Sequence, residues 1–255
     1  MKTNEKSKWF YSEFKQDTVA VILLIHGLNL RPSKMDSLAQ FFAAKKCDVY
    51  RLALPENPKN WIEKFDDGYH AALEQAEILE RPLFLIGYSL GALLTLRYLV
   101  THNYHKINKV IFIAIPLEMK WLSRLPAKFS WIMPRAWLPS LALEDYRIRG
   151  KTSLIEYRIM ESIRSEILAV LKKLKKADAH ISSPVLIISD PKDELLDIEK
   201  IKNHYALFSS LQCHEVTNKV TQHPKKYHHL MIDEASIGHI EWQKMLNKMT
   251  SHLSL

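Results

Sequence analysis

"RPLFLIGYSLGALLTLRYLV", residues 81–100, sets Ser89 in the middle of an otherwise apolar run. The apolar part between Pro82 and Arg97 falls short of the ~20 residues that a bilayer-spanning helix needs. A core helix whose serine bonds back to a carbonyl one turn earlier is the plain alternative. The glycines decide between the readings. Leu83–Ile86 reads as a buried strand and Leu90–Val100 as a helix, with Gly87 and Gly91 two residues either side of Ser89. A strand that turns sharply into a helix forces its central residue into a strained backbone and leaves no room for flanking side chains; glycine relieves both. Such a turn holds a hydroxyl at the C-terminal edge of a sheet and at a helix N-terminus, whose free N–H groups favour developing negative charge.

The rest of the chain fits that turn into a series. Val19–Ile25, Val49–Leu52, Val110–Ile115, Val185–Ile188 and Cys213–Val216 are further short apolar runs, each suited to a strand buried on both faces. Ile62, Phe65, Tyr69, Ala72, Ala76 and Leu79 recur at helical steps, as do Met160, Ile163, Ile167, Val170, Leu171 and Leu174, and later Trp242, Met245, Leu246 and Met249. Strands alternating with amphipathic helices predict an α/β fold, a mostly parallel central sheet flanked by helices. From Pro116 to about Tyr157 the alternation stops, with four prolines, three tryptophans and no clean strand. That stretch predicts a helical cap over the C-terminal edge of the sheet. The expected division is a core of residues 1–115 and 178–255 and an insertion of residues 116–177, whose last helix returns to the core.

Composition narrows the function classes. The 255 residues carry 36 Lys+Arg against 28 Asp+Glu, a formal charge of +8, which suits anionic membranes, nucleic acid or acidic ligands without choosing among them. No internal repeat, zinc-finger spacing or aromatic–basic RNA-binding signature is present, so nucleic acid is not an expected partner. The polar N-terminal stretch predicts neither a signal peptide nor an anchor, hence a cytoplasmic protein. Cys47 and Cys213 follow no ligand spacing and read as packing residues.

A serine hydroxyl attacks only with a base in reach and a third group to orient that base. On this kind of turn the partners come in the order Ser, acid, His. "VLIISDPKDELLD" supplies the acid after a strand: Asp193 is the first choice, Asp190 the second, and Asp197 reads as a helix N-cap. "KKYHHLMIDEASIGHIEW" supplies His228 as the first choice of base, His229 as the second, and His239 as a surface or packing residue. No metal is expected, and no cofactor. The backbone N–H groups of Leu28, in "LLIHGLNL", and of Leu90 are the expected oxyanion donors. His26 reads as a brace for the first of these loops.

With "HGL", "GYSLG", "DPKDELL" and "YHHLMID" in this order, the chain resembles the α/β-hydrolases, in particular the branch of carboxylesterases and monoacylglycerol lipases with a small helical cap. The resemblance implies a serine hydrolase of ester bonds with Ser89, Asp193 and His228 as its triad, the histidine being followed five residues on by Asp233. Acyl transfer to an alcohol, thioester cleavage or a non-catalytic binding role on the same fold are the alternatives. Trp121, Trp131 and Trp137 are expected to line an apolar approach for an acyl ester or lipid substrate. Lys120, Arg124, Lys128 and Arg135 are placed to meet lipid phosphates, a peripheral contact with an anionic membrane. No oligomeric state follows from the sequence.

Overall fold

The computed structural model describes residues 5–13, 15–102, 106–133, 135–140, 142–221 and 227–255. Seven strands form the main sheet: β1 (Lys8–Phe10), β2 (Ala20–Ile25), β3 (Cys47–Leu52), β4 (Leu83–Tyr88), β5 (Ile107–Ile113), β8 (Val185–Ser189) and β9 (Leu211–Glu215). Their spatial order is β1-β3-β2-β4-β5-β8-β9, parallel throughout except for β1, which runs antiparallel to β3. Every residue of β2 and β4 is buried, which requires cover on both faces. Of the two cysteines, Cys47 packs in the core, whereas Cys213 lies exposed on the edge strand β9 and is not a packing residue.

The cover comes from helices α1 (Asp36–Ala44), α2 (Trp61–Leu79), α3 (Leu90–Thr101), α5 (Leu154–Lys176) and α8 (His239–Leu253), with the short α6 (Ile198–Lys202) and α7 (Glu234–Ile237) in loops. Helices α2, α5 and α8 bury most of the periodic residues read from the sequence: Phe65, Tyr69, Ala72 and Ala76 in α2, Met160, Ile163, Ile167 and Leu171 in α5, Trp242, Met245, Leu246 and Met249 in α8, while Ile62, Leu79, Val170 and Leu174 are half-buried. A capping box at Ser153 and Glu156 starts α5, satisfying two otherwise orphaned N–H groups.

The chain moves from β2 to β3 on one side, then crosses to β4 on the other. The crevice between the C-terminal ends of β2 and β4 is therefore a topological switch point, where such sheets bind ligands. The loops carrying Leu28 and Ser89 meet there.

Between β5 and α5 the chain forms helix α4 (Trp121–Phe129) and a ribbon of two antiparallel strands, β6 (Trp137–Pro139) and β7 (Lys151–Ser153). The expectation of helix without strand is corrected by this ribbon, whose three-residue strands are too short to show an alternating pattern. The insertion is bonded to the β2 loop: Arg31 N donates to Tyr146 O, Ile148 N to Asn29 O, and the Asn29 amide donates to Arg149 O and Ser140 Oγ, both at 2.8 Å.

Candidate active site

Ser89 occupies the turn between β4 and α3 with φ 50° and ψ −113°. A non-glycine residue held there costs ~1–3 kcal/mol, so the surroundings must over-determine it. They do: Ser89 N donates to Ile113 O at 2.9 Å and Leu93 N donates to Ser89 O at 3.0 Å. A Cβ on Gly87 would lie 2.5 Å from Ala92 N, and one on Gly91 2.4 Å from Ile25 O. The glycine spacing is thus a packing requirement of strand, turn and helix.

A line of hydrogen bonds leads from the serine to a buried carboxylate. Ser89 Oγ lies 3.0 Å from His229 Nε2, and His229 Nδ1 lies 2.8 Å from Asp193 Oδ2. Burial would raise the Asp193 pKa, but electrostatic attraction to the His229 ring, the bond from that ring and the N–H groups of Leu195 and Leu196 together hold it below the usual carboxylate value. An ionised carboxylate only accepts, so it fixes the proton on His229 Nδ1 and leaves Nε2 to accept from the serine.

His228, the first choice for the base, is off this line. Its Nδ1 meets Asp190 Oδ2 at 2.7 Å, forming a second His–Asp pair beside the first. The two histidines are consecutive in a turn, and the buried one reaches the serine while its neighbour stays half-buried at the rim. The two acids considered for one role are therefore each occupied, one by each histidine. Asp197 caps α6, accepting from Lys200 N, and His239 lies exposed at the start of α8 against Glu234.

Three residues that the sequence reading passed over hold the histidine turn. Glu194 Oε1 accepts from His228 N at 2.8 Å and Oε2 from His229 N at 3.0 Å. The buried Lys219 ammonium donates to the carbonyls of Tyr227 and Leu230. Tyr88 OH donates to His229 O at 3.1 Å. The only sequence signal for any of them is adjacency, Glu194 to Asp193 and Tyr88 to Ser89.

The turn after β2 passes close by: a Cβ on Gly27 would lie 3.1 Å from Ser89 Cβ. Among the described residues no group accepts from Leu28 N or Leu90 N, the latter being the first residue of α3 and without an intrahelical acceptor. His26 Nε2 accepts from Leu54 N at 2.9 Å, so Nδ1–H donates to Gly27 O at 2.8 Å. Burial lowers its pKa to about 4, which makes it a neutral brace between two loops.

An open cavity begins at Ser89 and His229. Leu30, Met119, Leu143, Tyr157, Met160 and Leu230 give it apolar walls, and no Asp, Glu, Lys or Arg is among the described residues that line it. Trp121, Trp131 and Trp137, expected on its walls, are not there: they are 70%, 78% and 50% exposed. The stretch that carries Trp121 turns Met119 and Ser123 to the cavity instead.

A mostly parallel sheet wound about a switch point, with a strained serine at that point, places the chain in the α/β-hydrolase class. It belongs to the family described as serine aminopeptidase, S33, whose model matches residues 56–235. Among solved structures it resembles a chain reported with LipS and LipT, two metagenome-derived lipolytic enzymes, at 16% identity and a TM-score of 0.70 over 98% of both chains. A soluble variant of monoglyceride lipase from Saccharomyces cerevisiae, in complex with a substrate analogue, matches at 13% identity and a TM-score of 0.72 over 96% of this chain and 89% of that one. The monoacylglycerol lipase of Paleococcus ferrophilus matches at 16% identity and a TM-score of 0.64, over 96% of this chain and 98% of that one. No curated protein sequence gives a significant match.

Proposed function

We propose that this protein is a serine hydrolase that cleaves carboxylic esters of acyl chains, with Ser89 as nucleophile, His229 as base and Asp193 as the group that orients it. The observation that carries the reading is the unbroken line from Ser89 Oγ through His229 to Asp193 at the head of an apolar cavity. His229 Nε2 takes the serine proton as Oγ attacks the ester carbonyl, and the carbonyl oxygen, now negative, accepts from Leu28 N–H and Leu90 N–H. The tetrahedral intermediate collapses, and the leaving alcohol departs with the proton that His229 returns. Water, deprotonated by the same nitrogen, releases the acid and restores Ser89.

The family description speaks of aminopeptidases, and the cavity argues for esters. A substrate bearing a free α-ammonium needs a carboxylate to receive it, and the described lining offers none, whereas Met119, Met160, Leu143 and Leu230 suit an acyl chain. Monoacylglycerols and lysophospholipids are the substrate classes of the right shape.

The test is labelling with a fluorophosphonate probe, wild type beside Ser89→Ala, followed by p-nitrophenyl esters of rising chain length and an aminoacyl p-nitroanilide. The expected result is labelling of the wild type alone, with ester kcat/KM rising with chain length and no release from the anilide. A folded wild type that takes no label removes the hydrolase reading, and preference for the anilide replaces the ester with a peptide.

A further inference from the structure

Residues 119–143 hold four basic side chains, Lys120, Arg124, Lys128 and Arg135, and no acidic one. The same stretch contains Trp121, Leu122, Phe129, Trp131, Ile132, Met133 and Trp137, all exposed large apolar residues; Trp131 and Ile132 are the most exposed, at 78% and 76%. Scattered exposed apolar residues are ordinary, but seven within 17 consecutive positions are a concentration that calls for a cause. With aromatic side chains at roughly 150–250 Å² each, these residues together expose on the order of 800 Å².

Helix α4 shows that this exposure is built in. At ~100° per residue, Trp121, Leu122, Leu125 and Phe129 share one arc of roughly 100°, while Ser123 and Ala127 lie on the opposite side. An ordinary amphipathic helix turns its apolar arc to the core. Here Ala127 is the buried residue, Ser123 faces the cavity, and Trp121, Leu122 and Phe129 face outward. The helix is amphipathic in the reverse sense.

We infer that this face docks onto an anionic lipid bilayer. Charge selects that occupant. Lys120 is tied to the Asp193 carbonyl and Arg124 to Glu161, but among the described residues Lys128 and Arg135 have no acidic partner. Arg158 stands over the Trp131 ring at 5.6 Å, keeping a further cation beside these residues. A second copy of this chain would bring these cations against their own kind, whereas a sheet of lipid phosphates pairs them while Trp131, Ile132 and Met133 enter the acyl boundary. No helix among the described residues is long and apolar enough to cross a membrane, so the contact is peripheral. The inference does not depend on the chemistry at Ser89, since none of Lys128, Trp131, Ile132 or Arg135 lines the cavity.

Co-sedimentation with phosphatidylcholine vesicles, with and without phosphatidylglycerol, tests it on the full chain. The wild type is expected to bind the phosphatidylglycerol vesicles, less so as salt is raised. Trp131→Ser with Ile132→Ser is expected to lower partitioning at least tenfold onto either vesicle. Lys128→Ala with Arg135→Ala is expected to remove most of the preference for phosphatidylglycerol, roughly tenfold or more, since each basic side chain strengthens binding near an anionic surface severalfold. Circular dichroism and fluorophosphonate labelling report the folding of the variants and the state of Ser89 separately. Absence of wild-type binding, or binding that both double variants keep, overturns the inference. So does a wild-type dimer in solution that Trp131→Ser with Ile132→Ser dissociates, because this face is then an interface between copies.

Discussion

His228 and His229 are adjacent, both face carboxylates, and only one reaches the serine. His229→Ala is therefore expected to lower kcat/KM on a p-nitrophenyl ester on the order of 10⁴ or more, because triad members act as a unit. His228→Ala is expected to leave activity within about tenfold and to cost stability instead, ~1–3 kcal/mol, as the buried Asp190 Oδ2 loses its partner. A larger loss of activity from His228→Ala than from His229→Ala would reverse the assignment. The sequence pattern could not separate the two: His228 is followed five residues on by Asp233, but His229 is followed at the same spacing by Glu234. What separates them is which side chain of a turn points inward, and Glu194, Lys219 and Tyr88 set that from three distant elements. Among the described residues Glu194 hydrogen-bonds only to backbone N–H groups of the turn. Glu194→Gln replaces one of its two acceptors with a donor that faces an N–H. A lower kcat, about ten- to a hundredfold, with an unchanged KM is expected, the mark of a displaced base beside an intact cavity. A raised KM with unchanged kcat would assign Glu194 to substrate binding.

At the scale of elements, the inner strands β2, β4, β5 and β8 were legible because burial on both faces writes them as apolar runs, and the long helices because each has one apolar stripe; β9, expected as a buried strand at Cys213–Val216, instead runs Leu211–Glu215 along an exposed edge. Edge strand β1 was not legible, since Lys8-Trp9-Phe10 needs only one buried face and runs for three residues. The strand–turn–helix unit at Ser89 was the most legible element, because its glycines are demanded by contacts on both sides. Gly91→Ala puts a methyl group 2.4 Å from Ile25 O, a backbone atom of a buried strand that has nowhere to go. The expected cost is about 2–4 kcal/mol in chemical denaturation, with loss of fluorophosphonate labelling as α3 shifts away from Ser89. Gly150→Ala is the control: its Cβ meets nothing nearer than Arg147 at 4.0 Å, so a change within about 0.5 kcal/mol is expected. Equal effects at the two sites would show that the contact at Gly91 is relieved by local movement.

For the whole molecule, charge and apolar pattern were legible as totals but not as surfaces. The tryptophans of residues 121–137 read as cavity lining because apolar residues ordinarily face inward, and only the packing of α4 shows them outside. Burial of polar groups is likewise invisible until the chain is folded, and through His26 it bears on global stability. The His26 imidazole is enclosed between the β2 loop and Leu54, where burial lowers its pKa from 6.5 to about 4. Between those values the unfolded chain binds a proton that the folded chain refuses, so unfolding gains as pH falls. The contribution of His26 is complete above pH 6.5 and is lost progressively down to about pH 4, a swing of roughly 3 kcal/mol at ~1.36 kcal/mol per pKa unit. The lowered pKa values of the half-buried His214 and the buried His252 act in the same direction, and the raised carboxyls of Asp36 and Asp66 oppose them in the acid part of the range. Urea denaturation from pH 7.5 to 4.5 is expected to show stability falling with pH in the wild type. In His26→Gln, which cannot take up the proton, the starting stability is lower and the slope clearly shallower. A slope unchanged by His26→Gln would mean that other groups carry the acid limb and that the charged ring finds water on the way into its loop.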